Sequence, residues 1–367
     1  MLVSIIIINR NGKKFLNGCI ESVKRQSWNT GEITLIDNAS TDDSLSFVQN
    51  NHKDITIIAN NTNDGYSKAA NAGIGESKGE FILILNPDII LDPNFIEHCL
   101  ISIQKDKKIG SVSGKLLRFK SPLFPPFNKG GGARGTHPVD GSQWMGRGII
   151  DSAGLILCQD IRRPLDRGQN QKDNGQYNNE EYIFGVNGAA PFYRRVMLED
   201  VKIGGEYFDE DFFAYYEDVD LAWRAQLLGW KCLYTPSAVA YHYRSYLESE
   251  KGYTNDKHGK SMGKIHAVKN RYLLYLKNEF MLSFLKHSFR NIAVEVVRLI
   301  RYLFRERDAL PGVKAVFPYL LPIFKKRFFI MKNIRVLRTY IEGWYTMCSK
   351  EIVLIDPMRG KPRTLLK

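Results

Sequence analysis

Residues 81–91 read FILILNPDIIL. Five large apolar side chains run without a polar interruption and then give way to a turn, Asn86-Pro87-Asp88. A strand with one face in water alternates polar and apolar. An unbroken apolar run bounded by turn residues is the pattern of a strand covered on both faces, as in parallel sheets flanked by helices. Pro87 has no N–H for a ladder, so the strand ends there. Beyond it stands Asp88, a carboxylate delivered to the carboxyl end of a buried strand, where open α/β sheets bind ligands. One such carboxylate suits Mg2+ or Mn2+, which fill the rest of their coordination from phosphates and water. An ordinary strand-to-turn aspartate is the competing reading.

Upstream, the same alternation repeats. Val3–Ile8 is a continuous β-branched run and Phe15–Gln26 has helical period. Glu32–Ile36 reads as a strand, Ser44–Asn50 as a helix, Ile55–Ala59 as a strand and Ser67–Ser77 as a helix. Strands separated by helices predict an α/β fold with a mostly parallel sheet and helices on both faces. The turns after these strands are rich in Asx residues. In Asp37-Asn38-Ala39-Ser40-Thr41-Asp42 a helix cap accounts for one residue, and the surplus fits Asp37 accepting the N3–H of a uracil or thymine. In Asn63-Asp64-Gly65-Tyr66-Ser67, with Asn71 one turn on, Gly65 opens backbone conformations closed to other residues. The helix after it can face a diphosphate.

Downstream, 118–148 carries Pro122, Pro125, Pro126, Gly130–Gly132, Gly135 and Pro138 without periodicity, and reads as an irregular loop or insertion. Order is expected again from Tyr182. Between Asp209 and Asp220 six carboxylates fall within twelve residues, interleaved with aromatics. The dipole of a helix starting near Asp218 accounts for one or two of them. The rest are costly to gather unless they meet cations, hydroxyls or amides, and one could act as general base toward a sugar hydroxyl. Strand readings at Lys231–Thr235 and Ala238–Arg244 enclose His242. A lone histidine among aromatics reads first as a satisfied, partly buried side chain; it gains interest because a metal on Asp88 needs further donors.

The 367-residue chain has a net charge of +13, unevenly spread: residues 251–367 hold 25 Lys+Arg against 8 Asp+Glu, leaving the body mildly acidic. No zinc spacing, RNA-binding aromatic signature or helix-turn-helix pattern accompanies the basic tail, so nucleic acid is not the expected partner. Cys19, Cys99, Cys158, Cys232 and Cys348 are scattered and odd in number, which predicts no disulfide framework and a reducing compartment. The first residues lack a basic n-region and read as a strand. No run approaches the roughly 18 apolar residues of a membrane span. From about 265 helices dominate. In Phe280–Arg307, Leu285, Phe289, Ile292, Val296, Leu299, Ile300 and Leu303 share one arc, with Lys286, Arg290, Arg298, Arg301 and Arg305 roughly opposite. Two uses remain open: lying on an anionic membrane surface, or packing the apolar arc on the catalytic body.

In this order, VSIIIINRNG, LIDNASTDDS, NDGYSKAANAGI, LNPDIIL and YYEDVDLAWRAQLLGW resemble the motifs of family 2 inverting glycosyltransferases of the GT-A fold, and most of all the rhamnosyltransferase-like branch. The resemblance covers about residues 2–117 and 182–245. It implies a GT-A catalytic domain over 1–250 and a basic, mainly helical C-terminal region over 251–367. It further implies that Asn9 and Asp37 hold the nucleoside, and that Asn63, Gly65 and Asn71 line the diphosphate and sugar. Asn86 and Asp88 stand for the family's metal-binding DxD, whose first acid is Asn here. His242 matches a further metal-ligand position, Asp218 the catalytic base and Glu217 its neighbour on the sugar. Gly188 and Ala189 shape the acceptor side. The implied cofactor is a divalent Mg2+ or Mn2+, and the implied donor is a nucleotide-sugar, with dTDP-rhamnose first among them. The acceptor would be a glycan or lipid-linked alcohol at the cytoplasmic face of the plasma membrane. Two rivals are a catalytically inactive nucleotide-sugar-binding or scaffold protein, and a nucleotidyltransferase. The latter calls for a Gly- and Lys/Arg-rich loop after the first strand, where this chain has only NRNGKKF.

Overall fold

The computed structural model describes residues 1–28, 31–119, 145–244, 257–346, 348, 354–355 and 362–363. Its layering follows from alternate side chains of the first strand. In β1 (Val3–Asn9), Val3, Ile5 and Ile7 pack with Leu16, Cys19 and Ile20, whereas Ile6 and Ile8 pack on the other face with Ala69, Ala70 and Ile74. A strand so placed has no wet side, which is why its sequence shows no alternation. β1 pairs in parallel with β2 (Glu32–Asp37) and β4 (Phe81–Leu85), and β2 with β3 (Thr56–Ala59). The crossovers are α1 (Lys13–Lys24), α2 (Ser44–Asn51) and α3 (Gly65–Glu76). Every element expected in the first 91 residues forms, its ends shifted by two residues at most. The chain leaves β1 in both directions across the sheet, so β1 and β4 border the switch point where such sheets bind ligands.

Beyond β4 the sheet continues through β11 (Phe192–Arg194), β6 (Ile109–Phe119), β12 (Lys231–His242) and β10 (Glu181–Ile183). β11 runs antiparallel to both neighbours, and β12 parallel to β6. The two strands expected at Lys231–Thr235 and Ala238–Arg244 are one, with an irregularity in register between Thr235 and Val239. β5 (Ile89–Leu91) pairs with β12, and β7 (Met145–Ser152) with β6. The span expected to be irregular, 118–148, is therefore shorter at both ends. Ladder pairing of β6 with β7 extends order to Phe119 and from Met145, and 120–144 lie outside the described residues. α4 (Phe95–Ile103) covers one face of the sheet; α5 (Arg195–Asp200) and α6 (Glu217–Leu227) cover the other.

A smaller sheet, β8 (Leu155–Cys158) with β9 (Arg163–Asp166) and β13 (Tyr345–Thr346), ties the end of the chain to its middle. The cysteine reading is corrected here: the parallel register of β13 on β8 brings Cys158 and Cys348 to a Cα–Cα distance of 5.6 Å, and they form a disulfide. Partners 190 residues apart carry no local spacing signal. Cys19, Cys99 and Cys232 are free and buried. A last short pair joins β14 (Leu354–Ile355) and β15 (Pro362–Arg363).

The C-terminal helices do not form a separate layer. α7 (Lys257–Asn278) contributes Leu273, Leu274 and Tyr275 to the cluster that encloses Trp223 and Leu227 of α6. α8 (Met281–Lys286) and α9 (Ser288–Phe304) follow, then α10 (Leu310–Lys314), α11 (Leu320–Lys332) and α12 (Arg338–Glu342). α9 lies with its polar face inward. Glu295 takes both terminal nitrogens of Arg271 at 2.7 and 2.9 Å, Arg298 donates to the Ile161 carbonyl at 2.6 Å, and Asn291 and Tyr302 are buried. Its apolar arc points away from the protein: Phe289 is 91% exposed and Ile292, Val296, Ile300 and Leu303 are each about half exposed or more. Of the arc, Leu299 packs on the body beside Val268 and Tyr302, whereas these other side chains do not. Among the described residues no helix is long and apolar enough to cross a membrane.

Candidate active site

At the end of β1 the Asn9 amide donates to Asp37 Oδ1 at 2.8 Å. Ser40 binds the same carboxylate twice, through its hydroxyl at 2.6 Å and its backbone N–H at 2.9 Å. Asn9 and Asp37 are both buried. The Asx-rich turn is thus a brace that fixes one carboxylate, whose Oδ2 keeps acceptor capacity beyond Ser40 N–H. Asn9 Oδ1 is buried without a protein donor, aimed so that a Cβ on Gly12 would lie 2.4 Å from it. Asn38 links this turn to the next: its amide donates to Asn63 Oδ1 at 2.9 Å and to the Gly65 carbonyl at 3.1 Å. Gly65 has φ +86, and a Cβ there would sit 2.5 Å from the Phe213 carbonyl, so only glycine allows this approach. Asn71 faces a protein segment: its amide nitrogen donates to the Phe208 carbonyl and to Glu210, and its oxygen accepts from Phe208 N–H.

Asp88 lies beside His242, with Oδ1 3.5 Å from Nε2, and both side chains are almost fully buried. The other ring nitrogen, Nδ1, is 2.8 Å from Asp151 Oδ2. A carboxylate behind one imidazole nitrogen fixes the ring and aims the other nitrogen at its ligand, the arrangement that orients metal-binding histidines. Burial alone would push the imidazole down; the carboxylates of Asp88 and Asp151 overcome it and raise its pKa to about 9. Among the described residues no group of three or more His, Cys, Asp or Glu side chains is placed to hold a metal ion. Asp88 therefore offers one donor and His242 Nε2 a second once a cation displaces its proton, which fits a Mg2+ or Mn2+ that completes its shell with phosphate oxygens and water. Behind this pair, Arg244 bridges Asp151 and Asp166, reaching the latter at 3.0 Å.

Asp218 and Glu217 open α6. Asp218 Oδ2 accepts from Gly188 N–H at 2.9 Å and Oδ1 from Val219 N–H at 2.8 Å. Burial lifts its pKa to about 6, with the negative charge of Asp166 adding to the shift and the backbone N–H groups opposing it. Glu217 is raised well above the ordinary carboxyl range by burial and by Asp218 beside it, and its Oε2 has no partner. The segment Asn187–Ala189 spans the gap to the Asn86–Asp88 turn. Gly188 meets Asp218, and Ala189 accepts Asn86 N–H at 3.0 Å. Tyr66, next to Gly65, donates to the Gly188 carbonyl at 2.8 Å. Asn86, Asp88, Gly188, Ala189, Glu217 and Asp218 are thus joined through one backbone bridge. Asn9, at the end of β1, lies against the same turn, since a Cβ on Gly12 would be 2.4 Å from Asn9 Oδ1 and 3.0 Å from Pro87; Asp37 is reached through Asn9, and His242 joins Asp88 from β12.

Residues 4–134 match the family model described as "Glycosyl transferase family 2". Residues 4–134 thus carry the family 2 glycosyltransferase pattern. The chain is 26% identical over 232 residues to an N-acetylglucosaminyl-diphospho-decaprenol L-rhamnosyltransferase of Mycobacterium tuberculosis, covering 58% of this chain and 67% of that protein. It is 33% identical over 114 residues to the chondroitin synthase of Escherichia coli, covering 30% of this chain but only 16% of the synthase. The structure of GalNAc-T7 with UDP, GalNAc and Mn2+ matches with a TM-score of 0.54 at 15% identity, over 76% of this chain and 48% of that one, and shows the shared GT-A fold. The chain thus spans a small part of the chondroitin synthase and about half of GalNAc-T7.

Three polar residues of the site had no sequence signal. Asp151 and Asp166 are single acids in stretches without a motif, and Asn187, whose amide donates to Asp166 at 2.5 Å, sits in GVNGAA directly before Gly188 and Ala189. Their roles arise from pairing across 91 residues between Asp151 and His242 and across 78 between Asp166 and Arg244.

Proposed function

We propose that this glycosyltransferase moves one sugar from a nucleotide-sugar to a hydroxyl of a glycan or lipid-linked acceptor, with inversion, in cell-surface glycan synthesis. The observation that carries the reading is Asp218, with a pKa of about 6 and joined through Gly188 and Ala189 to the Asn86–Asp88 turn. A carboxylate of that pKa is largely ionised near neutrality and still basic enough to accept a proton. Asp218 takes the proton of the acceptor hydroxyl as its oxygen attacks the anomeric carbon. The bond to the nucleoside diphosphate breaks on the opposite face, so the configuration inverts. Glu217 stays protonated beside it and can donate to a sugar oxygen. Asp37 and Asn9 offer acceptors to a pyrimidine N–H, and Gly65 lets the backbone approach the diphosphate. Asp88 and His242 would hold a divalent cation, Mg2+ or Mn2+, which when bound would offset the charge of the departing diphosphate.

dTDP-rhamnose leads the candidate donors, since the relative matched over most of its length is a rhamnosyltransferase. An anionic membrane surface is the proposed setting, because the outward apolar arc of α9 lies in a strongly basic region. Thermal melting with dTDP-rhamnose, UDP-N-acetylglucosamine and UDP-glucose, each with and without Mn2+, tests donor binding, since a ligand of the folded state raises Tm. A metal-dependent rise with one donor, followed by its turnover, is expected. No rise and no turnover with any of them would count against the enzyme and in favour of an inactive scaffold.

A further inference from the structure

The loop that leads into Glu217 and Asp218 has an unusual backbone. Phe213, Tyr215 and Tyr216 all have positive φ, at 64, 73 and 68°. None is glycine, so the loop does not hold this shape by intrinsic preference. The Phe213 carbonyl also receives Ser67 N–H at 3.1 Å, and the same carbonyl bears on Gly65. The shape of the loop therefore sets both the carboxylate pair and the edge of the diphosphate helix.

What imposes that shape is α7, in the basic C-terminal region. Asn270 is completely buried, and its amide nitrogen lies 2.7 Å from each of three carbonyls: Phe212, Ala214 and Tyr215. Two N–H groups are shared among three acceptors that alternate around the strained residues. The side-chain oxygen has no partner, so the residue is present for its donors. Its neighbours act on the same loop. Lys269 donates to the Asp211 carbonyl, the His266 ring stacks on Phe213 at 4.6 Å, and Lys277 pairs with Asp209 and, at 2.7 Å, with Asp220.

We propose that Asn270 is a positioning residue for sugar transfer: from the C-terminal helix it holds the 212–216 loop in the conformation that presents Glu217 and Asp218 to the acceptor. The inference rests on the transferase reading above. Asn270 touches no substrate in this account; it acts through the loop.

The test compares kcat and donor KM for the donor that wild type turns over among the three probes, with Mn2+. Asn270→Ser removes the shared amide. Its expected kcat is about 10²-fold lower with donor KM changed less than threefold, since misplacement of about 1 Å costs that much. Adding Tyr215→Gly, which makes a positive φ easy, is expected to restore kcat about tenfold in the Asn270→Ser background. A merely structural role would lower melting temperature without this rescue. If Asn270→Ser does not melt cooperatively, Lys269→Met, which removes one donor to the same loop, is expected to lower kcat three- to tenfold at constant KM. Unchanged kcat in the variant that folds, or loss of kcat without rescue by Tyr215→Gly, overturns the proposal. Absence of turnover by wild type with every donor overturns the transferase reading instead.

Discussion

Asp218 can be a base because its surroundings disfavour charge. The carboxyl is buried, and Asp166 adds a second negative charge. Replacing Asp218 by Asn keeps the Gly188 N–H contact geometry and removes proton acceptance. The expected loss in kcat is roughly 10²–10⁴-fold, with donor-induced thermal stabilisation retained; turnover near that of wild type would refute the role. The base must be ionised, so wild-type activity should rise with pH through about 6 and fall below it. Asp166→Asn removes a charge that opposes ionisation. Its acid limb should therefore move to lower pH, measured as kcat/KM against pH, and a limb that stays or moves upward would show that Asp166 does not tune the base. The first strands and the Asx turns were legible because their causes are local: a two-sided burial pattern and a cluster of turn-forming side chains. Asp151 and Asp166 were illegible for the opposite reason, since an isolated acid acquires meaning only when a distant Arg244 is folded against it. Asn270 was hidden too, because in a lysine-rich helix an asparagine reads as a solvated face.

At the scale of elements, α8 and α9 invert the usual order of a surface helix. Glu295, Arg298, Asn291 and Tyr302 face the protein, and Met281, Leu285, Phe289, Ile292, Val296, Ile300 and Leu303 face outward at intervals of three and four residues. Burial of such a face is worth about 25 cal/mol per Å2 of apolar area, so something other than water is its natural neighbour. The sequence showed both arcs but not their orientation, because periodicity is blind to which side meets the body. Lys286 and Arg301 stay exposed near the stripe, which suits anionic headgroups. Phe289, Ile292, Val296 and Ile300 replaced together by Ser should abolish sedimentation with phosphatidylglycerol vesicles and leave melting temperature within a few degrees of wild type. Equal sedimentation of both proteins would remove the membrane setting, and a change from dimer to monomer would assign the stripe to a second copy.

At the scale of the whole molecule, the basic region and the acidic body are one structure. Lys277 is fully buried between Asp209 and Asp220, Asn278 donates to Asp220 at 2.8 Å, and Lys326 of α11 reaches Asp211 at 2.8 Å. Removing one side of such buried pairs strands charge in the interior, typically at a cost of about 3–5 kcal/mol. A chain ending near residue 256 would lose every cation in this set and should be insoluble or lack a cooperative melting transition. The disulfide adds a second tie between middle and end. A reducing compartment, expected from the scattered cysteines, is hard to reconcile with it, since structural disulfides are rare where glutathione keeps thiols reduced. Thiol titration of protein purified without reductant and then denatured decides between them. Three reactive thiols, from Cys19, Cys99 and Cys232, are expected if the bond forms, and five if it does not. With the bond intact, reduction should lower the melting temperature, because closing so long a loop restricts the unfolded chain by on the order of 2–4 kcal/mol. Five thiols with an unchanged melting temperature would leave the hydrogen bonding of β13 and its neighbours to hold that end of the chain, and would restore the reading of a reducing compartment.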